Sequence, residues 1–248
     1  MIEEGFWQIV AIGFAAQLVD GALGMAYGLT STSLLLTLGY SPAAASASVH
    51  LAEVATTAVS AGSHIHLRNV DWKLVRPLAI AGILGGVAGA GLLAAGAGEA
   101  LRPFVSVYLA LMGCVILWKA FRNVPGIRPP RGLVPLGGIG GFLDAVGGGG
   151  WGPIVSGTLV ASGSSARHMI GSSIAAEFFV TVAITVTFAG HLGLQDFGIA
   201  ALALVVGGVP AAPFAALIVR AVPRRALMIG VGMLIVALGI YGVTRAWA

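Results

Sequence analysis

Eight apolar stretches dominate this 248-residue chain and leave it few ways to fold. They run roughly over 6–38, 43–66, 77–95, 103–120, 133–163, 166–190, 197–219 and 226–246, against the ~20 residues with which a helix crosses the hydrocarbon layer of a bilayer. Only 9% of residues are charged, where a soluble domain carries about 25%. So few charges exclude a soluble domain, a disordered chain and a nucleic-acid module, and the lone Cys114 excludes a disulfide scaffold. The chain reads as an all-α polytopic membrane protein. Its first residues, Met1-Ile2-Glu3-Glu4, are acidic rather than basic, so no cleavable signal peptide is expected there.

The first and fifth stretches are too long for one straight span and too short for two. Each is punctured by glycine: Asp20-Gly21-Ala22-Leu23-Gly24-Met25-Ala26-Tyr27-Gly28 in one, and Asp144-Ala145-Val146 followed by Gly147 to Gly150, Trp151, Gly152 and Pro153 in the other. Both read as broken or re-entrant helices.

A shift of 124 residues superimposes these stretches and the segments after them without a gap. Asp20 falls on Asp144, Gly24 on Gly148, Tyr27 on Trp151, Gly28 on Gly152, Gly39 on Gly163, Ser41 on Ser165, Ser48 on Ser172, Glu53 on Glu177 and Thr57 on Thr181. Glycine and serine are common enough here to coincide by chance, but acids are not. Of nine, five (Glu3, Glu4, Asp71, Glu99 and Asp196) lie at ends or loops, and the other four form two pairs at this one offset. The expectation is a duplication, with a first repeat over 1–124 and a second over 125–248.

The basic residues orient the halves. Arg68, Lys73 and Arg76 follow the second stretch, Lys119, Arg122, Arg128 and Arg131 the fourth, and Arg220, Arg224 and Arg225 the seventh, ten of the thirteen in the chain. Basic loops stay cytoplasmic, which eight simple spans cannot satisfy for all three. It is satisfied if stretches one and five each enter and leave on one side. The halves are then inverted repeats of four apolar segments, each starting with a broken helix, as in transporters whose broken helices meet near the bilayer midplane.

Carboxylates inside a membrane cost about 2.5–3.5 kcal/mol on insertion scales and mark functional interiors by default. Asp20, Glu53, Asp144 and Glu177 are therefore candidate ion-coupling groups, with His50 three residues before Glu53 on the same helical face; a structural, hydrogen-bonded role is the alternative for each. Gly148, Gly149, Gly150 and Gly152 make a poor helix interior, and unwound backbone at membrane depth is tolerated where it lines a cavity. Its amides would suit an oxyanion. Gly28, with Tyr27 and Trp151 as aromatic walls, and the hydroxyls of Ser31, Ser48, Ser156, Ser172 and Ser173 complete the candidate substrate-binding set, although such hydroxyls also bond back to the preceding helical turn. No His, Cys or carboxylate set has metal-ligand spacing, and no cofactor or metal is expected.

The glycine break followed by Gly39-Tyr40-Ser41-Pro42, the polar helix ending at His64, and Asn69-Val70-Asp71-Trp72-Lys73-Leu74 before a glycine-rich span resemble the TauE/SafE family of sulfite and organosulfonate exporters. Gly147 to Pro153, Gly171-Ser172-Ser173 and Ala176-Glu177-Phe178-Phe179-Val180-Thr181 are similar to the family in the second half. The resemblance implies transport of a small sulfur-containing or carboxylate anion such as sulfite or sulfoacetate, in the outward direction, across a bacterial plasma membrane.

The combined expectation is a secondary transporter, not an enzyme, moving a small anionic substrate through the lipid bilayer by alternating access, with a proton or sodium ion as coupling partner. An anion channel is the nearest rival. An intramembrane aspartyl protease built on Asp20 and Asp144 is a distant one.

Overall fold

The computed structural model describes residues 2–23, 25–121, 132–161, 166–221 and 224–247, and every regular element among them is helical. Gly24, Gly163 and Ser165 of the aligned positions, and the loop residues Arg122, Arg128 and Arg131, lie outside the described residues.

The first apolar stretch is two helices, α1 (Ile2–Leu23) and α2 (Tyr27–Thr37). Between them Ala26 takes a left-handed φ of 98°, a conformation that a Cβ disfavours and that ends a helix. α3 (Pro42–His66) starts from Ser41, whose hydroxyl accepts from the Ala44 N–H at 3.2 Å, with Pro42 at its first position. α4 (Trp72–Leu92) is capped by the Asp71 carboxylate, which accepts from the Lys73 N–H at 2.9 Å. It passes through a π-helical turn (Leu93–Ala97) into α5 (Gly98–Phe121).

The fifth stretch repeats the break. α6 (Leu133–Gly147) stops where Gly148 and Gly149 take φ of 64° and 148°, values open to glycine. The chain resumes at Trp151 through a π-helical turn (Gly152–Ser156) into the short α7 (Gly157–Ala161). α8 (Ala166–Leu192), α9 (Gly198–Ala221) and α10 (Arg224–Trp247) complete the chain.

The long helices pair across the two halves of the chain. α1 lies on α9, α6 on α4, α5 on α10 and α3 on α8. Glycine makes the first two pairings close: a Cβ at Gly85 would strike the Gly138 carbonyl and the Phe142 amide of α6, and one at Gly207 would strike the Val10 carbonyl and the Phe14 amide of α1. Small residues at a helix crossing let backbones touch, the packing available to helices that gain nothing from burying apolar surface away from lipid.

Both ends of each broken stretch lie at one end of the bundle. Gly5, Phe6 and Ile9 at the start of α1 share a cavity with Tyr40, which follows α2. At the opposite end of α3, a Cβ at Gly171 near the start of α8 would meet the Asn69 carbonyl, while α6 begins beside α4, with Gly137 over Leu78.

Three described helical stretches are long and apolar enough to cross a membrane by themselves: Trp72–Ala95, Ala100–Phe121 and His168–Leu192. Large apolar side chains such as Ile80, Leu84, Phe104, Leu111 and Val186 are exposed on them, as a lipid-facing surface requires. α3 is not among these spans, because Ser46, Ser48, His50, Glu53 and Thr57 interrupt it. All five are buried, so the polar helix occupies the protein interior.

Candidate functional site

A cavity of about 280 Å³ lies where the two breaks meet, near the lower end of the volumes typical of small-molecule sites. Tyr27, Gly28 and Leu29 reach it from the first break, Gly149, Gly152, Pro153 and Ser156 from the second, Glu53, Thr56, Thr57 and Ser60 from α3, and Glu177 from α8. Asp20 and Asp144 line it as well. The four intramembrane acids expected from the sequence are thus gathered around one space, and no Lys or Arg is among the described residues lining it.

Each aspartate caps the break that follows it. The Tyr27 N–H donates to Asp20 Oδ1 at 3.2 Å, and at the aligned position the Trp151 N–H donates to Asp144 Oδ1 at 2.9 Å, joined there by the Gly150 N–H at 2.5 Å. The Gly148 and Gly149 N–H groups donate to the Asp144 carbonyl, the second at 3.1 Å. Four successive amides of the glycine run therefore end on one residue. The sequence expects them to face an oxyanion; instead the Asp144 carboxylate takes the Gly150 and Trp151 amides, as a carboxylate does at a helix N-cap, and its main-chain carbonyl takes the other two.

Asp144 Oδ2 is taken by His50. The fully buried imidazole places Nε2 3.2 Å from that oxygen and Nδ1 2.8 Å from the Ser46 carbonyl. A carbonyl cannot donate, so Nδ1 carries a hydrogen, and the contact with Asp144 then needs one proton between the two groups. The pair is neutral as a unit whether that proton sits on nitrogen or oxygen. His50 was expected to act with Glu53; its ring is directed at Asp144 instead.

Among the described residues, Glu53 and Glu177 have no such arrangement. Glu53 is 7% exposed and its Oε2 has no hydrogen-bond partner. Oε1 lies 3.0 Å from where a Cβ on Gly28 would sit. A carboxylate held like this requires a proton, a cation or cavity water to satisfy it. Glu177 faces the same space half-buried from α8.

The breaks are also locked to each other. Thr32 of α2 donates from Oγ1 to the Gly148 carbonyl at 2.6 Å. Lys119, at the end of α5, donates to the Pro153 carbonyl at 2.6 Å and ties the second break to that helix.

Other residues of the expected set stand apart from the cavity. Trp151 is fully buried, with its indole N–H donating to Ser173 Oγ at 3.0 Å, and Ser173 Oγ lies 2.7 Å from Ser156 Oγ. Ser48 donates to the Ala44 and Phe197 carbonyls, and Ser172 accepts from the Asp71 N–H at 2.8 Å. These two aligned serines pin the start of α9 and of α4. Ser31 is buried without a partner but away from this cavity.

The lining also includes residues outside the expected set. Thr56, Thr57 and Ser60 extend from Glu53 at steps of three, four and seven, which is one face of a helix, so the helical period alone points to them. Gln17 lies one turn before Asp20 and is found the same way. Among the described residues, no group of three His, Cys, Asp or Glu side chains is placed to hold a metal ion.

A family profile described as Sulfite exporter TauE/SafE matches residues 9–242. The chain is 41% identical over 245 residues to a Bacillus subtilis (strain 168) protein named "Probable membrane transporter protein YtnM", an alignment that covers 95% of this chain and 82% of the relative. No solved structure matches it. Matched along nearly its whole length, this chain belongs to the sulfite exporter TauE/SafE family and is a multi-pass protein of the bacterial plasma membrane.

Proposed function

We propose that this membrane transporter is a secondary carrier that moves a small sulfur-containing or carboxylate oxyanion, such as sulfite or sulfoacetate, out of the cell by alternating access. The observation that carries the reading is the single cavity into which both helix breaks and all four intramembrane acids open. Tyr27, Gly28, Gly149, Gly152 and Ser156 hold the substrate, with Ser60 as a further hydroxyl donor. Export as the direction follows the family description.

Duplication with inversion is part of the proposal. It is supported by the exchange pattern of the helix pairs, by the matching aspartate caps, and by the return of each broken stretch to its own end of the bundle. The ends at which the two stretches begin are opposite, and the basic loops then share one side.

The acids supply the coupling. An anion entering a space with ionised carboxylates is repelled, so it enters with a proton, or after Glu53 and Glu177 have been neutralised. Asp144 is already neutralised by His50 and Asp20 is held by the Tyr27 amide at its break, which leaves the glutamates as the proton carriers. Asp20 and Asp144 each serve their own break, which speaks against a protease dyad.

The test is reconstitution of the purified protein into proteoliposomes, with uptake measured for sulfite, sulfoacetate, sulfolactate, thiosulfate and simple carboxylates under imposed proton or sodium gradients. Saturable, gradient-dependent uptake of one class is expected. A folded protein that moves none of them would overturn the reading.

A further inference from the structure

No described residue lining the central cavity carries a positive charge, and the amides of the second break end on Asp144. A cation nevertheless stands behind the wall. Lys119 lies in the last turn of α5, where a lysine of a membrane-spanning helix ordinarily runs its ammonium out to the headgroups. Arg68, Lys73, Arg76, Arg224 and Arg225 are exposed, whereas Lys119 is half-buried. Its ammonium turns into the protein and donates to the carbonyl of Pro153, a residue that lines the cavity.

The second break itself makes the seat of this ammonium. In an α-helix the Gly157 N–H would bond to the Pro153 carbonyl four residues back. In the π-helical turn it goes to the Gly152 and Ile154 carbonyls, and Lys119 takes that of Pro153; π-turns of this kind are frequent at functional sites. Gly157 leaves the room: a Cβ there would strike Lys119 Nζ and, apart from that side chain, would come no nearer than 3.6 Å to the Gly152 carbonyl. The Pro153 carbonyl accepts one of the three ammonium N–H groups and neutralises none of the charge. Among the described residues Lys119 forms no ion pair.

We propose that Lys119 is the positioning residue that makes the central cavity receptive to an anion, through an uncompensated charge held one carbonyl behind the Pro153 wall. A charge withdrawn from water is less screened and reaches further than one at the surface. The anion is drawn to the Gly152, Pro153 and Ser156 side of the cavity, whereas Glu53 Oε1 lies at Gly28 of the first break. Coulomb attraction scales with charge, so Lys119 also favours a dianion over a monoanion. It stands at the end of α5 that leads into Arg122, Arg128 and Arg131, the cytoplasmic end by the positive-inside rule, from which an exported anion is loaded. The inference rests on the carrier reading for its use in export; the effect of Lys119 on anion binding does not.

The test compares the full-length wild type with Lys119→Gln, Lys119→Arg and Gly157→Ala, by sulfite uptake into proteoliposomes and by calorimetric titration with sodium sulfite in nanodiscs. Lys119→Gln should raise the KM and the Kd for sulfite at least fivefold with kcat within twofold of wild type, and Lys119→Arg should restore both constants. Gly157→Ala keeps the charge but pushes the ammonium off the Pro153 carbonyl, so it should raise the Kd at least twofold without lowering the melting temperature. A fall in kcat and melting temperature at unchanged KM and Kd would show a mechanical tether and overturn the proposal. An unchanged Kd in folded Lys119→Gln would overturn it and leave a transporting wild type as a carrier; if that variant does not fold, an unchanged Kd in Gly157→Ala decides in the same way. Sulfite binding that weakens in Lys119→Gln, without transport by the wild type, would refute the carrier and leave the role of Lys119 standing. A folded wild type that transports sulfoacetate but neither binds nor moves sulfite would overturn the proposal alone.

Discussion

Gly28 and Gly149 meet so closely that a methyl group on either would lie 2.6 Å from the Cα of the other. The two helix breaks, 121 positions apart in the chain, thus touch through bare backbone at the wall of the central cavity.

Gly28→Ala and Gly149→Ala should therefore each strain the contact that closes the site. Overpacking of this kind costs about 1–3 kcal/mol, and Gly149 adds its φ of 148°. Both variants are expected to melt lower and to lose transport. Gly62→Ala, where a Cβ meets nothing within 4 Å, should match the wild type in melting and flux. Equal behaviour of all three would show that the close approach is not required.

Asp144 should matter for stability more than Asp20. It accepts from two amides and pairs with His50, whereas Asp20 accepts from the Tyr27 amide. Asp144→Ala leaves the buried imidazole and the Gly150 and Trp151 amides without their acceptor, a loss of about 3–5 kcal/mol by analogy with broken buried pairs. Asp20→Ala should cost about 0.5–2 kcal/mol, the range for a lost cap. Thermal melting in one detergent ranks them, and an inverted order would contradict the assignment.

Trp151→Phe probes whether this ring recognises substrate. Its indole N–H is spent on Ser173 and the ring is fully buried. The variant should be less stable by about 1–3 kcal/mol, because Ser173 loses its donor, while the KM for the transported anion stays within twofold of wild type. A large KM change at unaltered stability would place the ring in the binding site.

Glu53→Gln and Glu177→Gln preserve side-chain volume and remove the ability to carry a charge. Each should fold, and each should uncouple flux from an imposed proton gradient. Gradient dependence that persists in a well-folded variant removes that glutamate from the coupling scheme.

Much of this site is legible in the sequence. The scarcity of acids made Asp20, Glu53, Asp144 and Glu177 conspicuous, and the glycine runs located both breaks to within a few residues. What the sequence left open is direction. The amides of the glycine run read from the sequence as donors to an oxyanion, and the turn geometry aims those of Gly148 to Trp151 at Asp144. His50 sits one turn from Glu53, but long-range packing of α3 against the end of α6 turns its ring to Asp144. The aligned Ser48 and Ser172 illustrate the same limit, since their tasks involve loops from the other half of the chain.

The central claim, a carrier with one site alternately open to each side, is tested most directly by counterflow. Proteoliposomes preloaded with unlabelled sulfite and diluted into trace labelled sulfite should show a transient overshoot of label that saturates with internal concentration. The overshoot should persist in Glu53→Gln, because exchange needs binding but no net proton movement. Non-saturating, purely voltage-driven flux without an overshoot would contradict the account and indicate a channel.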